Sequence, residues 1–596
     1  MPFRVVAPSR TTERNTITAS GGRFMLGGKP WFALGINYWP LYSAGQEPGE
    51  YWLHWLSPDQ YDPAVVERDL AQMQRLGMNL VSIQYGRLDQ ARPLADFLAR
   101  CEKRGIKAHI FMPHLDPVTH QPARAQEMIR TARLDDDPAV FAYDLGWEVH
   151  VGPYAARKPH DGEWRRWVAD RYGSEAAAER GWGYTAPRTD GGLLTGPADE
   201  QLTTDGPWRV FTAAYRRFWD DKFSRGYQAV RRAVREVDPR HLMGARSGWG
   251  GLGALWTQGH LPVDLRSGAK HLDFTSPEGY NIGGDRKGFL SGGFLNAYGR
   301  YYSGGKPVYW AEFGSALFYG VNPEAYTHAR LTENLQQSAD YFRKTLAMVR
   351  ETGADGAAGW WWPGGLRVDE KSDFGIIQPD GTPRPAAEAY QVVAPAMRRL
   401  GPAPRPDVLI TVDRDKHATG FSGLYAEAAP AWVEAFLQGK QPGVRTEGAG
   451  TTSANAPRVA VGNVPATGSN PPKYLNAELN RLRIGGRDVG DGAVIEVRAG
   501  EDVALEAEMG NTAEASWLAP KGPGQEAGGV YLEATWDGGE ALMPLAADTP
   551  FLSDGRFQGV LPANEASETR LKLRLVAAGW TPFGEVVRVT LRRRAQ

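Results

Sequence analysis

A single cysteine in 596 residues leaves no partner for an intramolecular disulfide and no basis for a cysteine zinc cluster. An excess of either charge is missing too: 68 Lys plus Arg against 69 Asp plus Glu give a formal net charge of −1. That balance attracts neither nucleic acid nor an acidic membrane surface, so neither is expected as a partner. No apolar run approaches the roughly 18 residues that a membrane span needs. The opening Met-Pro-Phe-Arg-Val-Val-Ala-Pro lacks the continuous apolar stretch of a secretion signal. The expected localisation is cytoplasmic, or exported with the signal absent from this chain. Internal repeats and single-residue low-complexity tracts are absent as well, and oligomeric state is left open.

What the sequence does have is tryptophan, 20 residues of it. Indole stacks on flat apolar surfaces such as the CH face of a pyranose ring, and it equally fills large cores. Cys101 falls in a helical pattern and reads as a small buried apolar residue.

The first 400 residues alternate short apolar runs with helical patterns. Strands are predicted at 32–37, 79–84, 107–112, 140–145, 241–245, 271–275, 307–312 and 356–361. The intervals are long enough for the helices that parallel neighbours require. Asp62-Pro63 reads as an N-cap and first turn, with Val66, Leu70 and Met73 forming one stripe up to Gly77. Leu335, Ala339, Phe342, Leu346 and Val349 repeat that spacing up to Gly353. Eight strand–helix repeats predict an α/β fold of the (β/α)8 TIM-barrel type over 1–400. Residues 149–209 read as an insertion after the fourth strand. Pro402, Pro404 and Pro406 open a connecting segment, 401–473, whose 442–473 stretch reads as an extended linker or a loop laid over the barrel. Short strands at 494–498, 503–509, 530–536, 571–576 and 586–591 predict a C-terminal antiparallel β-sandwich domain, 474–596, as an accessory.

Barrels gather chemistry at the C-terminal ends of their strands. Two acidic residues end apolar-aromatic strands: Glu148 after the fourth, in Ala142-Tyr143-Asp144-Leu145-Gly146-Trp147-Glu148, and Glu312 after the seventh, in Lys306-Pro307-Val308-Tyr309-Trp310-Ala311-Glu312. Either one alone could be a solvated loop residue or a helix cap. A pair on these two strands suits acid/base and nucleophilic work on one bond, as glycosidic hydrolysis demands.

These runs resemble glycoside hydrolase clan A. Tyr143 to Glu148 is similar to the clan's Trp-x-Leu-x-Asn-Glu pattern, and Lys306 to Gly314 to its nucleophile strand, Lys-Pro-hydrophobic-x-x-Glu-Phe/Tyr-Gly. Gly28 to Trp39 resembles the first strand of families 5 and 2. Trp164-Arg165-Arg166-Trp167, Arg171-Tyr172-Gly173 and Trp182-Gly183 resemble family 42 β-galactosidases. The resemblance covers about 20–400. It implies a retaining glycoside hydrolase cleaving β-linked sugars by double displacement, with Glu148 as general acid/base and Glu312 as nucleophile. The substrate expected is an oligosaccharide, polysaccharide or simple glycoside, and no cofactor or metal is needed. The family 42 features favour an exo-acting, β-galactosidase-like enzyme. The alternatives are an endo-β-glucanase or β-mannanase, or a non-catalytic carbohydrate-binding protein.

One position departs from the pattern. Trp147 stands where the clan has an Asn that contacts the sugar 2-hydroxyl, and an indole donates one hydrogen bond and accepts none. Tyr280 resembles the clan tyrosine that hydrogen-bonds the nucleophile. Glu278 falls where many relatives have His, as a substrate contact or an ion-pair member. Asn37, Gln84, His114 and Arg246 end strands one, two, three and five and are read as binding hydroxyls or orienting Glu148. Of Trp360-Trp361-Trp362, either Trp361 or Trp362 is expected to floor the sugar. The polar run Asp369 to Gly375 is placed over the same mouth, as a substrate contact or a solvated turn. Gly510-Asn511-Thr512 to Trp517 resembles part of an immunoglobulin-like sandwich.

Overall fold

The computed structural model describes residues 11–12, 14–46, 54–247, 263–280, 282–456, 472–522, 527–564 and 566–594. Eight parallel strands form its centre: β1 (Ala33–Asn37), β2 (Leu80–Gln84), β3 (Lys107–Phe111), β4 (Val140–Asp144), β5 (Leu242–Gly244, continued by Arg246–Ser247), β6 (Ser276–Gly279), β7 (Tyr309–Trp310, continued by Glu312–Phe313) and β8 (Gly356–Gly359). Each pairs with the next in sequence, and β8 pairs back to β1, so the sheet closes into a (β/α)8 barrel. Closure leaves no edge strand and turns both catalytic candidates toward one end.

The helices form for the local reasons legible in their sequences. Asp62 accepts from the backbone N–H groups of Ala64 and Val65 and caps Pro63–Arg75, whose Val66, Leu70 and Met73 are buried. Gly77 then takes φ 85°, and a β-carbon there would lie 2.4 Å from that of Ala394. Cys101 is buried in helix Ala91–Lys103.

A hairpin of Ile17–Ser20 and Arg23–Leu26 plugs the N-terminal end of the barrel. Phe24 meets Phe141 and Phe274 edge-on, at centroid distances of 5.0 and 5.4 Å, and is fully buried. Burial of such a ring contributes about 1.5–3 kcal/mol. Arg23 pins the plug by its 2.7 Å bond to buried Asp355. The opposite, C-terminal end is left for the site.

Several expectations need correction. The sixth strand lies at 276–279 and not at 271–275. Pro277 and Gly279 made that run look like a loop, but Pro277 needs only its carbonyl here, which accepts from the Ala311 N–H. For tryptophan in the insertion, the open choice between core and sugar surface falls to core: Trp164 is fully buried and stacks on Trp167 and Trp182, with centroids 5.4 and 5.8 Å away. These rings pack the short insertion helices against the long helix Arg209–Val237 through Phe211 and Phe218. Within 442–473, Pro442–Thr446 is a strand, paired in parallel with Val408–Val412 across helix Phe421–Leu437; residues 457–471 lie outside the described residues.

The C-terminal strands form a four-stranded and a five-stranded sheet around buried Trp517. Pairing is antiparallel except for Ala493–Arg498, which runs parallel to Thr581–Arg594. The sequence reading missed Ala477–Ile484, Arg487–Val489, Gly539–Pro544 and Asp554–Leu561. Among the described residues no helix is long and apolar enough to cross a membrane.

Candidate functional site

Three carboxyl groups converge at the C-terminal end of the barrel. Glu148 follows β4, Glu278 lies within β6 and Glu312 within β7, and one oxygen from each falls within 4.8 Å of the others. Glu278 and Glu312 are register partners on neighbouring strands. Glu148 is half-buried and holds φ 48°, a left-handed backbone that non-glycine residues seldom adopt outside functional turns. The other two are buried.

Arg246 organises the floor beneath them. It is fully buried, and its Nε donates to Asp144 Oδ2 at 2.7 Å. Its Nη1 donates to Glu312 Oε2 at 2.9 Å and to Asn37 Oδ1 at 3.0 Å, and its Nη2 to Ser82 Oγ at 2.8 Å. One guanidinium thus ties β1, β2, β4 and β7 together. Its face lies 3.5 Å from the centroid of Trp147, a cation–π contact that a smaller residue before Glu148 would not provide. The expectation for Arg246 is corrected accordingly: it grips Glu312, not Glu148, and has no surface left for a sugar hydroxyl. Asn37 is corrected likewise. It is buried, with its amide donating to the carbonyls of Ala311 and Gly359.

Glu312 receives two donors, Arg246 and the Tyr280 hydroxyl. Burial first, and the charge of Glu148 second, push its carboxyl up to about 8 against the pull of those donors. The Glu148 part acts only while Glu148 is ionised. With a proton on Glu148, the two donors favour Glu312 as the carboxylate.

A raised folded-state value makes stability fall with pH, since the folded protein holds a proton that the unfolded chain releases. Glu312 contributes fully below its ordinary value of 4.5, and that contribution is lost as pH rises through about 8. Substrate-free protein should therefore show a Tm that declines across this window, with a shallower decline in Glu312→Gln. Equal slopes in thermal melts of the two proteins would contradict it.

Arg246→Met should destabilise the fold by about 3–5 kcal/mol, because Asp144 and Glu312 keep their buried carboxyls and lose their shared cation. Denaturant unfolding measures this; a loss below about 1 kcal/mol would show that the pair does not need the guanidinium.

The remaining candidates divide between the mouth and the core. Trp147 is half-buried and meets Trp39, Phe111 and Trp360 edge-on at 5.4–6.2 Å between centroids. Trp361 stacks on Trp360 at 5.3 Å beneath the Arg367 guanidinium. Trp362 is turned into the core beside Asp69, where it is fully buried, so it does not floor a sugar. Gln84 is buried at the end of β2, and His114 Nε2 lies 3.2 Å from the Gly86 carbonyl, behind the mouth. The polar loop is largely self-satisfied. Asp369 and Glu370 pair with Arg367, and buried Asp373 pairs with Arg384.

Sequence reasoning missed Asp144, Ser82, Trp39, Trp360, Arg367 and Tyr319. The first two were visible as polar residues within apolar strands. Nothing local marked Tyr319, which is exposed at the rim and packs on Phe374, itself against Tyr280.

The three carboxyls are spaced so that a divalent cation could lie among them. Arg246 already provides a positive charge at Glu312, bonded to its Oε2.

No protein-family model matches the sequence, and a search of curated proteins finds no match. Among solved structures the chain is similar to the β-galactosidase from Rahnella sp. R3, with a TM-score of 0.50 and 13% identity over 94% of this chain and 86% of that one. It is also similar to the β-galactosidase from Halorubrum lacusprofundi (TM-score 0.47, 14% identity, 94% and 86% covered) and to GH5_18 from Bifidobacterium longum subsp. longum (0.44, 15%, 70% and 92%). At such identities the likeness is one of fold: the chain has the barrel-and-sandwich architecture of the Rahnella protein, with a carboxyl trio at the barrel mouth.

Proposed function

We propose that the chain is a retaining glycoside hydrolase acting on β-linked sugars. The observation that carries this is the spacing of Glu148 and Glu312, which approach within 4.8 Å across the barrel mouth. Retaining enzymes hold their carboxyls about 5–5.5 Å apart, whereas inverting enzymes leave roughly 6.5–9.5 Å for a water.

The division of labour follows from donors. Glu312, held by Arg246 and Tyr280, attacks the anomeric carbon as the carboxylate. Glu148 has freedom at the half-buried rim to protonate the departing oxygen and then to activate water as a base. Trp147, half-buried and backed by the buried rings of Trp39 and Trp360, supplies an aromatic surface suited to the apolar face of a sugar.

Exo action on β-galactoside-like substrates is the preferred form. It is supported by the insertion rooted just beyond Glu148, at the end of the barrel where a wall would close one side of the cleft. A panel of chromogenic aryl β-glycosides run beside intact β-glucan and β-mannan tests it. Release of aryl alcohol without viscosity loss is expected; rapid viscosity loss would establish endo cleavage instead. Sugar binding without turnover of any substrate would reduce the protein to a carbohydrate-binding module.

A further inference from the structure

The reading of Glu148 and Glu312 leaves the third carboxyl unassigned. Glu278 is fully buried and stands opposite Glu312 in parallel register, a placement in which two like charges on adjacent strands repel. Neither of its oxygens receives a hydrogen bond from a donor among the described residues. Arg246 directs its contacts to Asp144, Glu312, Asn37 and Ser82 instead, and Tyr280 to Glu312. The Glu148 carboxyl faces Glu278, with one oxygen of each within 4.8 Å of the other.

Two carboxyl groups this close, with no donor between them among the described residues, need a proton to join in an O–H···O bond. We propose that Glu278 is a positioning residue, a neutral carboxylic acid that shares one proton with Glu148 and aims that group at the bond above Glu312. Of the titratable groups facing it, the Arg246 charge alone opposes the proton, and it opposes it from a guanidinium whose hydrogen bonds go elsewhere. Glu148 and Glu312 are acidic, Arg246 is already committed to Asp144 and Glu312, and Tyr280 donates elsewhere. Farther out, Glu370 lies near Glu148 with its charge paired to Arg367. Burial, then the charges of Glu312 and Glu148, hold the Glu278 carboxyl well above the usual carboxylate range. For catalysis, a consequence that rests on the glycosidase reading, the proton held between the two carboxyls is available for transfer to the departing oxygen.

Infrared difference spectra of the full chain, made with isotope-labelled glutamate and titrated from acid to alkaline pH, test the pair directly. A protonated-carboxyl component should persist above the ordinary carboxylate range, disappear in Glu278→Gln and shift in Glu148→Gln, where its acceptor becomes an amide. An unchanged spectrum in Glu278→Gln overturns the proposal. If that variant does not fold, absence of a shift in Glu148→Gln overturns it equally. In turnover, Glu278→Gln keeps a donor toward Glu148, so its maximal rate should stay within about tenfold of wild type while the alkaline limb of the pH profile moves to lower pH by about one unit or more. Glu278→Ala should lose kcat with KM little changed. A superimposable Glu278→Gln profile in an active enzyme sinks the shared proton. Absence of turnover by the wild type, with the infrared result intact, instead sinks the glycosidase reading and leaves the pair standing.

Discussion

Glu312→Gln should lose on the order of 10⁴-fold or more in kcat/KM on every glycoside the wild type cleaves, as expected when an enzyme's nucleophile is removed. Two buried carboxyls stand side by side, yet only Glu312 carries the donors that favour a carboxylate, Arg246 at 2.9 Å and the Tyr280 hydroxyl. Glu278 has none among the described residues and is not set up to take over the attack. The amide of Gln fits the same space, its oxygen accepting from Arg246 and its nitrogen donating to the Tyr280 hydroxyl oxygen, so substrate affinity should survive while chemistry stops. A slow-turnover fluoroglycoside that traps the covalent intermediate locates the bond by peptide mass. The label belongs on Glu312; finding it on Glu278, or residual activity within tenfold in the variant, would overturn the assignment.

Removing the acid/base should have the next largest effect, and one that depends on the leaving group. Glu148→Ala should slow hydrolysis of unactivated glycosides by about 10²–10⁴-fold, the usual contribution of a positioned proton donor. Aryl glycosides with acidic phenols need little protonation, so their first step should be spared and the glycosyl-enzyme should accumulate. Azide then enters the space left by the carboxyl, within 4.8 Å of Glu312 in the wild type, and should restore turnover. The product tells the stereochemistry. A β-glycosyl azide follows from double displacement, and an α-azide would exclude it.

How much of this was legible follows from the range over which each interaction acts. The eight-strand alternation was readable because strand and helix patterns are local, and all strands but one were located to within a few residues. The exception, β6, shows the limit. Pro277 and Gly279 carry turn signals, and only pairing with β5 and β7 makes the run a strand. Moving that strand by a few residues places Glu278 inside the sheet, opposite Glu312, and not in a loop beyond it.

Strand-end position and apolar flanks were enough to single out Glu148 and Glu312 as candidates. Partners were not readable from either. Asn37, Ser82, Asp144 and Glu312 meet Arg246 from four strands, across separations of 66 to 209 residues. Such meetings are set by barrel closure and register, which no single segment encodes. The Trp360-Trp361-Trp362 run was equally ambiguous, because alternation says that neighbours diverge without saying which one faces the mouth.

By itself, then, the sequence determined the strand–helix rhythm, the barrel with its C-terminal sandwich, and the two acidic residues set at strand ends. Tertiary structure alone decided that Arg246 holds Glu312, that Trp362 belongs to the core and that Glu278 faces the other two carboxyls without a donor among the described residues. The physical reason is that periodicity and capping act within a few residues of chain, whereas proton sharing and ion pairing depend on distances of a few ångströms that only the closed barrel fixes.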